Sequence, residues 1–231
     1  MSTSAHLPRR RRVRVRSPGR PPVDADSDVR SALLDAASKL FLKHGFDRAT
    51  ARQIAVAAGT TPAMIHYYFG NKLGLFRAML ERAIGPVREF IAQSLQSGPV
   101  DPAVLIRMHM RTAAANPWIA TLIVNEVLAE KGRFRSTFVR DIAGRQAPLV
   151  MELLQRARTN GAVREDLDVR FAALSLMSLC MFPFLARHVA GPVLGLKFDE
   201  DEIERLIAHT ARLFAIGTTP AARVTRQEHR A

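Results

Sequence analysis

The stretch that decides the fold runs from Thr50 to Lys72 and reads TARQIAVAAGTTPAMIHYYFGNK. Its first half is rich in good helix formers and ends at Gly59, because glycine reaches the positive φ of a helix C-terminus at little cost. Thr61 then stands where an N-cap is needed, and Pro62 takes the first helical position, where its missing N–H loses no partner. The second helix ends at the next glycine. The stretch therefore predicts a helix-turn-helix.

The second helix of this stretch carries three polar aromatic side chains in a row. Ile65 and Phe69 stand at i and i+4, so they share one face and are expected to pack on the first helix. His66, Tyr67 and Tyr68 then point elsewhere. Imidazole and phenol groups bind phosphate oxygens and the edges of bases. We therefore predict that this helix reads DNA.

Four further side chains of the stretch lie at helix starts. Thr50 is placed to cap the first helix, and Arg52 beside it either reaches a phosphate or stays a solvated surface charge. Asn71 caps the helix that follows. Lys72 is then at the positive end of that helix, which is unfavourable for a cation unless an anion binds there. We therefore predict that Lys72 contacts a DNA phosphate.

The region from Leu33 to Leu80 resembles the TetR family of bacterial transcription regulators. The residues that carry the resemblance stand at the family's spacing: Gly45-Phe46, Ala49-Thr50, Ile54-Ala55, Ala58-Gly59, Thr61, Ile65, Tyr67, Phe69, Lys72 and Leu75-Phe76. The chain departs from the family at His66, where a tyrosine is usual, and at Pro62-Ala63, where a small polar residue and a glycine are usual.

The resemblance implies an all-α protein of about nine helices. An N-terminal three-helix domain with the helix-turn-helix would precede a C-terminal helical bundle, and two copies would form a two-fold dimer. The implied partners are a palindromic double-stranded DNA operator, a small-molecule effector and a second copy of the chain. The predicted DNA contacts are Thr50, which in the family also touches a phosphate, Arg52, Thr61, Pro62, Ala63, His66, Tyr67, Tyr68 and Lys72.

The charge of the chain agrees with a nucleic-acid partner. The formal net charge is +13 over 231 residues, and residues 1–23 hold seven arginines without an acid. Such a balance favours binding to a polyanion. We predict that residues 1–26 are a disordered basic arm that follows the duplex. The alternatives are a solvated tail, or an upstream start codon that extends the true protein.

The remaining composition predicts a cytoplasmic protein outside the membrane. Cys180 is the single cysteine, which excludes an intramolecular disulfide and fits a reducing compartment. The longest apolar stretch, residues 172–186, is interrupted by serines and Pro183, and it is shorter than the roughly 20 residues that span a bilayer. The basic N-terminus leads into serine, proline and glycine, so no secretion signal is expected.

Turn signals and helical periodicity predict the organisation of the chain. We assign residues 27–72 to the DNA-binding domain, residues 73–216 to a domain for ligand binding and dimerisation, and residues 217–231 to a flexible tail. The first helix is predicted from about Asp28 to His44. A long helix with a possible kink at Pro148 is predicted over residues 133–158, and another from residue 168 to about Val189, with a loop opening at Gly191-Pro192.

Two apolar helices near the C-terminus predict the dimer interface. Each is apolar on more than one face and should therefore be buried on more than one face. By the resemblance, they form a four-helix bundle with their copies, and a dimer would place two reading helices about 34–36 Å apart on DNA. The predicted interface residues are Leu176, Leu179, Leu206, Thr210 and Leu213.

Flexible and aromatic side chains in the C-terminal half predict an effector cavity, since helix bundles often place ligands among such residues. The alternative is an ordinary hydrophobic core. Glu126 is either an exposed charge or a carboxylate of the cavity. The predicted ligand contacts are Met108, His109, Trp118, Glu126, Phe138, Met177 and Met181.

The function that fits these features is a ligand-responsive transcriptional regulator, a repressor that its effector releases from the operator. The alternative is a DNA-bound adaptor whose C-terminal domain contacts another protein. The sequence shows no catalytic Ser/His/Asp or Cys/His arrangement, no cluster with metal-ligand spacing and no glycine-rich phosphate loop. We therefore expect no enzyme activity, no cofactor and no metal.

Overall fold

The computed structural model describes residues 23–98, 101–130, 132 and 134–220, and all regular structure in these residues is helical. This confirms the predicted all-α fold, with ten helices in the described residues against about nine expected. They are α1 (Val23–Arg48), α2 (Ala51–Ala57), α3 (Pro62–Phe69), α4 (Lys72–Ser97), α5 (Pro102–Ala115), α6 (Pro117–Leu122, continued by the π-helical Ile123–Leu128), α7 (Arg135–Phe138, the π-helical Val139–Ala143, then Gly144–Thr159), α8 (Val169–Leu185), α9 (Arg187–Leu194) and α10 (Glu200–Thr218).

The first helix begins earlier than the sequence predicts. α1 starts at Val23, so four residues assigned to the basic arm are helical. Gly45 kinks α1 with φ 75° and ψ 167°, which agrees with the predicted stop at this glycine. The remaining residues of the arm, 1–22, lie outside the described part of the chain.

The turns of the helix-turn-helix form as predicted. Thr50 caps α2 in a reciprocal arrangement: its hydroxyl accepts from the N–H of Gln53 at 3.2 Å, and the side chain of Gln53 accepts from the N–H of Thr50 at 2.8 Å. Gly59 has a φ of 67° between α2 and α3. Thr61 occupies the N-cap position of α3, although its side chain makes no capping hydrogen bond.

Four aromatic rings form the centre of the N-terminal core, and we call them the Phe cluster: Phe41, Phe46, Phe76 and Phe134. Phe134 lies immediately before α7, and its ring centroid is 4.4 Å from that of Phe46 on α1 and 4.6 Å from that of Phe76 on α4. Ring pairs at such distances contribute about 0.5–1.5 kcal/mol beyond their burial. The core of the helix-turn-helix region is therefore continuous with the start of α7.

Lys72 begins α4 after the Asn71 cap, as predicted, but it has intramolecular partners that the sequence did not reveal. Its ammonium donates to the carbonyl oxygens of Phe46 at 2.8 Å and Ala49 at 3.0 Å, and it lies 4.2 Å from the centroid of the Phe46 ring. The carbonyls at the end of α1 thus supply the negative partner that the sequence analysis sought in DNA. The predicted contact with a DNA phosphate stays a prediction, and the ammonium would make it beside these two carbonyls.

The second core joins α4, α5, α7, α8 and α10. On its surface, two arginines of α5 pair with one carboxylate of α10: Arg111 lies 2.8 Å and Arg107 3.2 Å from Glu204. Such exposed pairs contribute little individually. The packing of the apolar faces of these helices therefore carries most of the stability of this half.

The helix predicted from residue 168 to Val189 is two helices in the structure. α8 ends at Leu185 and α9 leaves it at 76°. Pro183 lacks the N–H that would bond the carbonyl of Leu179, which weakens the last turn of α8. The loop predicted at Gly191-Pro192 is also wrong, since α9 continues to Leu194. The glycine that ends it is Gly195, at φ 69°.

Two helices contain π-helical turns that the sequence did not reveal. In α6 the turn spans Ile123–Leu128, and in α7 it spans Val139–Ala143. The predicted irregularity in α7 was at Pro148, which instead lies inside a regular segment. No single helix of the described residues has the length and hydropathy to cross a membrane; only the bent pair α8 and α9 reaches that criterion, when both are counted together.

We predict that Lys72→Met lowers the free energy of unfolding by about 1–3 kcal/mol, because the carbonyls of Phe46 and Ala49 lose a charged donor. Urea denaturation followed by circular dichroism measures this change. Lys39→Met is the matched control, since Lys39 is an exposed lysine of α1, and its effect should stay within about 0.5 kcal/mol. Equal stability of both variants would contradict the assigned role of Lys72.

Candidate DNA-reading surface and ligand cavity

The exposed face of α3 displays most of the residues predicted to contact DNA. Tyr67 is 63% exposed, and its ring meets that of Tyr68 edge-on at 4.9 Å. Tyr68 itself is half-buried, because it also packs beside Phe69 at 6.0 Å. The other exposed members are Arg52, Thr61, Pro62, Ala63 and His66. Ile65 is fully buried under this face, as predicted.

His66 is oriented by a hydrogen bond within its own helix end. Its Nδ1 lies 2.8 Å from the carbonyl oxygen of Gly70, which can only accept, so Nδ1 carries a proton. In the neutral ring, Nε2 is then an acceptor. The exposed side chain therefore offers an acceptor to the amino groups of adenine or cytosine.

The hydroxyl groups of Thr50 and Thr61 differ in whether they already make hydrogen bonds within the chain. Thr50 Oγ1 donates to Gln53 at 3.0 Å while it caps α2, so a phosphate would have to compete for that proton. Thr61 makes no side-chain capping bond and is exposed. Between residues 50 and 72 the chain has two basic residues and no acid. This surface is therefore compatible with a close approach of phosphate groups.

Arg30 is a further basic residue at this surface that the sequence analysis did not assign. Its guanidinium lies 5.4 Å from the ring centroid of Phe69 at the end of α3. An arginine stacked on an aromatic ring keeps its N–H groups at the edge of the stack, where they can donate to another partner. The sequence around Arg30 did not indicate this contact, because it joins two separate helices, α1 and α3.

A cavity of about 550 Å³ lies between α4, α5, α6, α7 and α8. Sixteen of its twenty lining residues are apolar, and this size and character are typical of small-molecule sites. The polar members are His109, Thr112, Gln146 and Arg170. The apolar members are Ile84, Val87, Ala113, Ile119, Ile123, Leu128, Phe138, Ile142, Ala143, Ala147, Val150, Met151, Ala173, Leu174, Met177 and Met181.

The cavity includes four of the seven predicted ligand residues. His109, Phe138, Met177 and Met181 line it. Trp118 and Glu126 instead border a separate void of about 20 Å³ beside Phe41 and Phe46, and the buried Trp118 belongs to the N-terminal core. Met108 packs against the second core. These three assignments are corrected, because the side chains point to other faces of α5 and α6.

His109 and Gln146 form a buried polar pair in the cavity wall. His109 Nδ1 lies 2.9 Å from the carbonyl oxygen of Leu105, one turn earlier in α5, and Nε2 lies 2.5 Å from Gln146 Nε2 on α7. Burial lowers the pKa of His109 below its ordinary value, although the hydrogen bond to Leu105 opposes part of this shift. The imidazole is therefore neutral at pH 7.

Sequence reasoning did not identify Gln146, Thr112 and Arg170 as cavity residues. Gln146 falls among polar residues of an amphipathic helix, where an amide usually faces water. Only the π-helical turn before Gly144 and the pairing with His109 show that it faces inward. A turn of this kind changes the helical phase, so a regular 3.6-residue period assigns the following side chains to the wrong face.

The cavity wall is connected to α4, the helix that follows the reading helix. Ile142 and Ala143 line the cavity from the π-helical turn of α7. Asp141, in the same turn, pairs with Arg77 of α4 at 3.3 Å. Phe134 of the Phe cluster adds an apolar contact to α4 just before the start of α7. The cavity wall and the start of α7 are therefore joined to α4 by two separate contacts.

The residues predicted for the dimer interface are divided between core and surface. Leu176 is fully buried and Thr210 is 3% exposed, so the chain's own core takes up both side chains and this assignment is corrected. Leu179 and Leu206 are half-buried. Leu213 is exposed.

A different set of apolar residues is exposed on the same two helices. Phe171 and Phe182 of α8 are exposed by 67% and 65%, and Ile216 of α10 by 60%. On α8, positions 171, 175, 178 and 182 are all exposed and follow the 3- and 4-residue spacing of one helix face. Leu179 and Leu213 line the groove between the two helices.

No group of three or more His, Cys, Asp or Glu side chains in the described ranges could hold a metal ion. Burial raises the pKa of the Cys180 thiol to about 12. The single cysteine is therefore a thiol in the second core, without thiolate character at neutral pH.

Two family models match this chain. The model for bacterial regulatory proteins of the tetR family matches residues 33–79, and the model for the tetracyclin repressor-like C-terminal domain matches residues 103–213. Together they cover about two thirds of the chain. The first match covers the region whose residues carried the resemblance, from Leu33 to Leu80.

Curated relatives agree with the family models. The HTH-type transcriptional repressor NicS of Pseudomonas putida is 28% identical over 179 residues, which is 75% of this chain and 84% of that protein. The HTH-type transcriptional repressor KstR2 of Rhodococcus jostii is 28% identical over 159 residues, which is 66% of this chain and 78% of that protein.

Solved structures share the fold. The fatty acid degradation regulator FadR from Bacillus halodurans superposes with a TM-score of 0.66 at 20% identity, over 81% of this chain and 94% of that one. FadR from Bacillus subtilis, in complex with stearoyl-CoA, gives 0.63 at 18% identity, over 80% and 97%. The chain belongs to the TetR family of bacterial regulatory proteins and is a DNA-binding transcriptional repressor.

Proposed function

We propose that the repressor binds a palindromic operator as a two-fold dimer and that a small molecule in the cavity between α4 and α8 releases it. The observation that carries this proposal is the position of the cavity. Its wall includes α4 itself and the π-helical turn of α7 that contacts α4. An occupant is therefore placed to change the position of α4, which begins three residues after α3 ends.

The proposed DNA contacts are the exposed residues of α3 and its turn. Tyr67 and His66 reach base edges or phosphates, while Thr61, Pro62 and Ala63 form the N-terminal end of α3 that approaches the groove. Arg52 and Arg30 contribute positive charge at the edges. Lys72 stays a proposed phosphate contact, with its ammonium oriented by the carbonyl of Phe46 at the end of α1.

The proposed dimer surface combines α8 and α10. Phe171 and Phe182 would pack against their copies on the partner, and Leu213 and Ile216 would extend the contact along α10. A second copy is the expected occupant because one helix-turn-helix contacts few base pairs, and a two-fold pair doubles the sequence that is read. Aromatic and aliphatic side chains on such a patch are the usual centre of a stable interface.

The effector must bind the two conformations of the repressor unequally, since an effector with equal affinity for both shifts nothing. In the described conformation, Arg77 and Asp141 are paired and Phe134 is stacked on Phe76. We propose that an occupied cavity pushes Ile142 and Ala143 outward, so that both contacts move α4. The two reading helices of the dimer would then no longer match the spacing of their half-sites.

A DNA-bound adaptor remains the second candidate. The observation that favours it is the apolar face of α9, where Val189, Val193 and Leu194 are each more than two thirds exposed. A protein partner could cover such a face. The large apolar cavity favours the effector instead, because an adaptor would not need it. The division into residues 27–72 and 73–216 stays part of this proposal.

We predict that Tyr67→Ala lowers affinity for DNA at least tenfold, because Tyr67 presents its ring and hydroxyl outside the core. Fluorescence anisotropy with a labelled fragment from the region upstream of this gene measures it. Tyr67→Phe separates the hydroxyl from the ring, and Val104→Ala is the control at an exposed site of α5. Unchanged binding by Tyr67→Ala, or a loss of stability above about 1 kcal/mol, would exclude this role.

We predict that Phe182→Glu shifts the protein from dimer to monomer at micromolar concentration, because a buried charge without a partner opposes association. Sedimentation velocity measures the mass. Val139→Glu is the matched control, since Val139 is similarly exposed on α7 and should leave the dimer intact. A wild-type monomer, or a dimeric Phe182→Glu protein, would contradict the proposed surface.

Release of DNA by small molecules tests whether the cavity is the effector site. Alcohols, carboxylates and alkylammonium ions with eight to twelve carbons are added to the protein–DNA complex, and anisotropy reports dissociation. At least one class should release wild-type protein. Ala173→Phe, which places a ring into the cavity, should bind DNA normally and resist release. Release of both proteins to the same extent would place the effector elsewhere, and release of neither would favour the adaptor.

A further inference from the structure

The interior of the cavity contains one hydrogen-bond acceptor whose orientation is fixed. Gln146 is 7% exposed and lines the cavity. Its amide nitrogen is used by His109. Its amide oxygen accepts no hydrogen bond from any side chain or backbone group in the described ranges. Among the described residues, Arg77 Nε is the one fully buried polar side-chain atom without a hydrogen-bond partner, so the oxygen of Gln146 is accessible rather than sealed in the core.

The orientation of this amide follows from a chain of three groups. The carbonyl of Leu105 can only accept, so His109 Nδ1 donates to it and Nε2 of the neutral ring is an acceptor. Gln146 must then present its NH₂ group to His109. A flipped amide would place two acceptors against each other. The oxygen is therefore directed away from His109, on the side of the cavity.

The cavity interior offers no positive charge to an anionic ligand. Burial keeps His109 neutral by lowering its pKa. Arg170, the one basic residue among the lining residues, is exposed and pairs with Asp168 at 2.8 Å. Its guanidinium holds the pKa of Asp168 at about 2, so the pair persists at neutral pH. Burying a carboxylate among the remaining side chains would carry a large desolvation penalty.

We infer that the effector is an uncharged, mainly apolar molecule with one hydrogen-bond donor, such as a hydroxyl group, which binds the amide oxygen of Gln146. This inference rests on the proposed function, because it takes the cavity as the effector site. His109 is then a positioning residue: it holds the amide and touches the ligand only through Gln146. The apolar body of the ligand contacts the aliphatic, aromatic and methionine side chains of the wall.

Thr112 is the competing anchor and supplies a matched control. It lies one turn after His109 on α5 and also lines the cavity. Its hydroxyl can both donate and accept, so it would bind an ether nearly as well as an alcohol. The amide oxygen can only accept, and it therefore discriminates between the two ligands.

The test uses three probes with the same ten-carbon chain: 1-decanol, 1-methoxydecane and decanoate, at pH 7.5. Trp118 is the single tryptophan of the chain, it is buried, and its neighbour Ile119 lines the cavity. Its fluorescence therefore follows changes in the adjoining cavity wall as each probe is titrated, and anisotropy of labelled DNA reports release in parallel. Wild-type protein should bind 1-decanol about five- to tenfold more tightly than 1-methoxydecane, and decanoate most weakly.

Gln146→Met removes the acceptor at similar volume and should abolish the preference for 1-decanol while binding of 1-methoxydecane persists. Thr112→Val should keep the preference. Because Gln146→Met leaves His109 Nε2 without a donor, the double variant His109→Leu/Gln146→Met removes both partners together and gives a second measurement if the single variant does not fold.

Each possible outcome of this experiment either supports the inference or overturns it. Equal binding of 1-decanol and 1-methoxydecane to the wild type, a preference that survives in Gln146→Met, or tighter binding of decanoate overturns it. If the two uncharged probes bind equally and both release DNA, the inference fails while the proposed function stands. If no probe changes the fluorescence of Trp118 or releases DNA, the proposed site fails as well.

Discussion

The contact on which the rest of the structure depends is the Phe cluster, where Phe134 packs against both Phe46 and Phe76. It joins the end of α1, the second turn of α4 and the start of α7 in one apolar core. Lys72 adds to the Phe cluster, since its ammonium binds the carbonyl of Phe46 at the end of α1 and lies against the Phe46 ring. Without these contacts, α3 and the cavity would belong to two separately packed units.

The same arrangement explains how a cavity in the C-terminal half reaches the DNA. The π-helical turn of α7 carries Ile142 on its cavity side and Asp141 toward Arg77 of α4. Single π-helical turns inside α-helices are rare and are frequently found at functional sites. A ligand that reshapes this turn therefore acts on α4 through a short and direct route. The polar pair His109 and Gln146 would decide which ligand does so.

Much of the fold could be predicted from the sequence because its signals are local. Caps and stop glycines act within one turn, so Thr50, Gly59 and Asn71 showed the helix-turn-helix without any tertiary information. The features that the sequence did not reveal depend on distant contacts or on irregular helix geometry. The role of Lys72 depends on carbonyls more than twenty residues earlier, the buried state of Leu176 depends on how helices pack, and the inward position of Gln146 depends on a π-turn.

The central claim is that exposed side chains of α3 read DNA in two copies and that the cavity controls this. Hydroxyl-radical footprinting of the purified protein on the DNA that flanks its gene tests the claim most directly. The account predicts two protected segments of similar sequence on one face of the duplex, about 10–10.5 base pairs apart or a multiple of that, which disappear when a cavity ligand is added. A single protected segment, no protection on any fragment, or protection that a bound cavity ligand leaves unchanged would contradict the account.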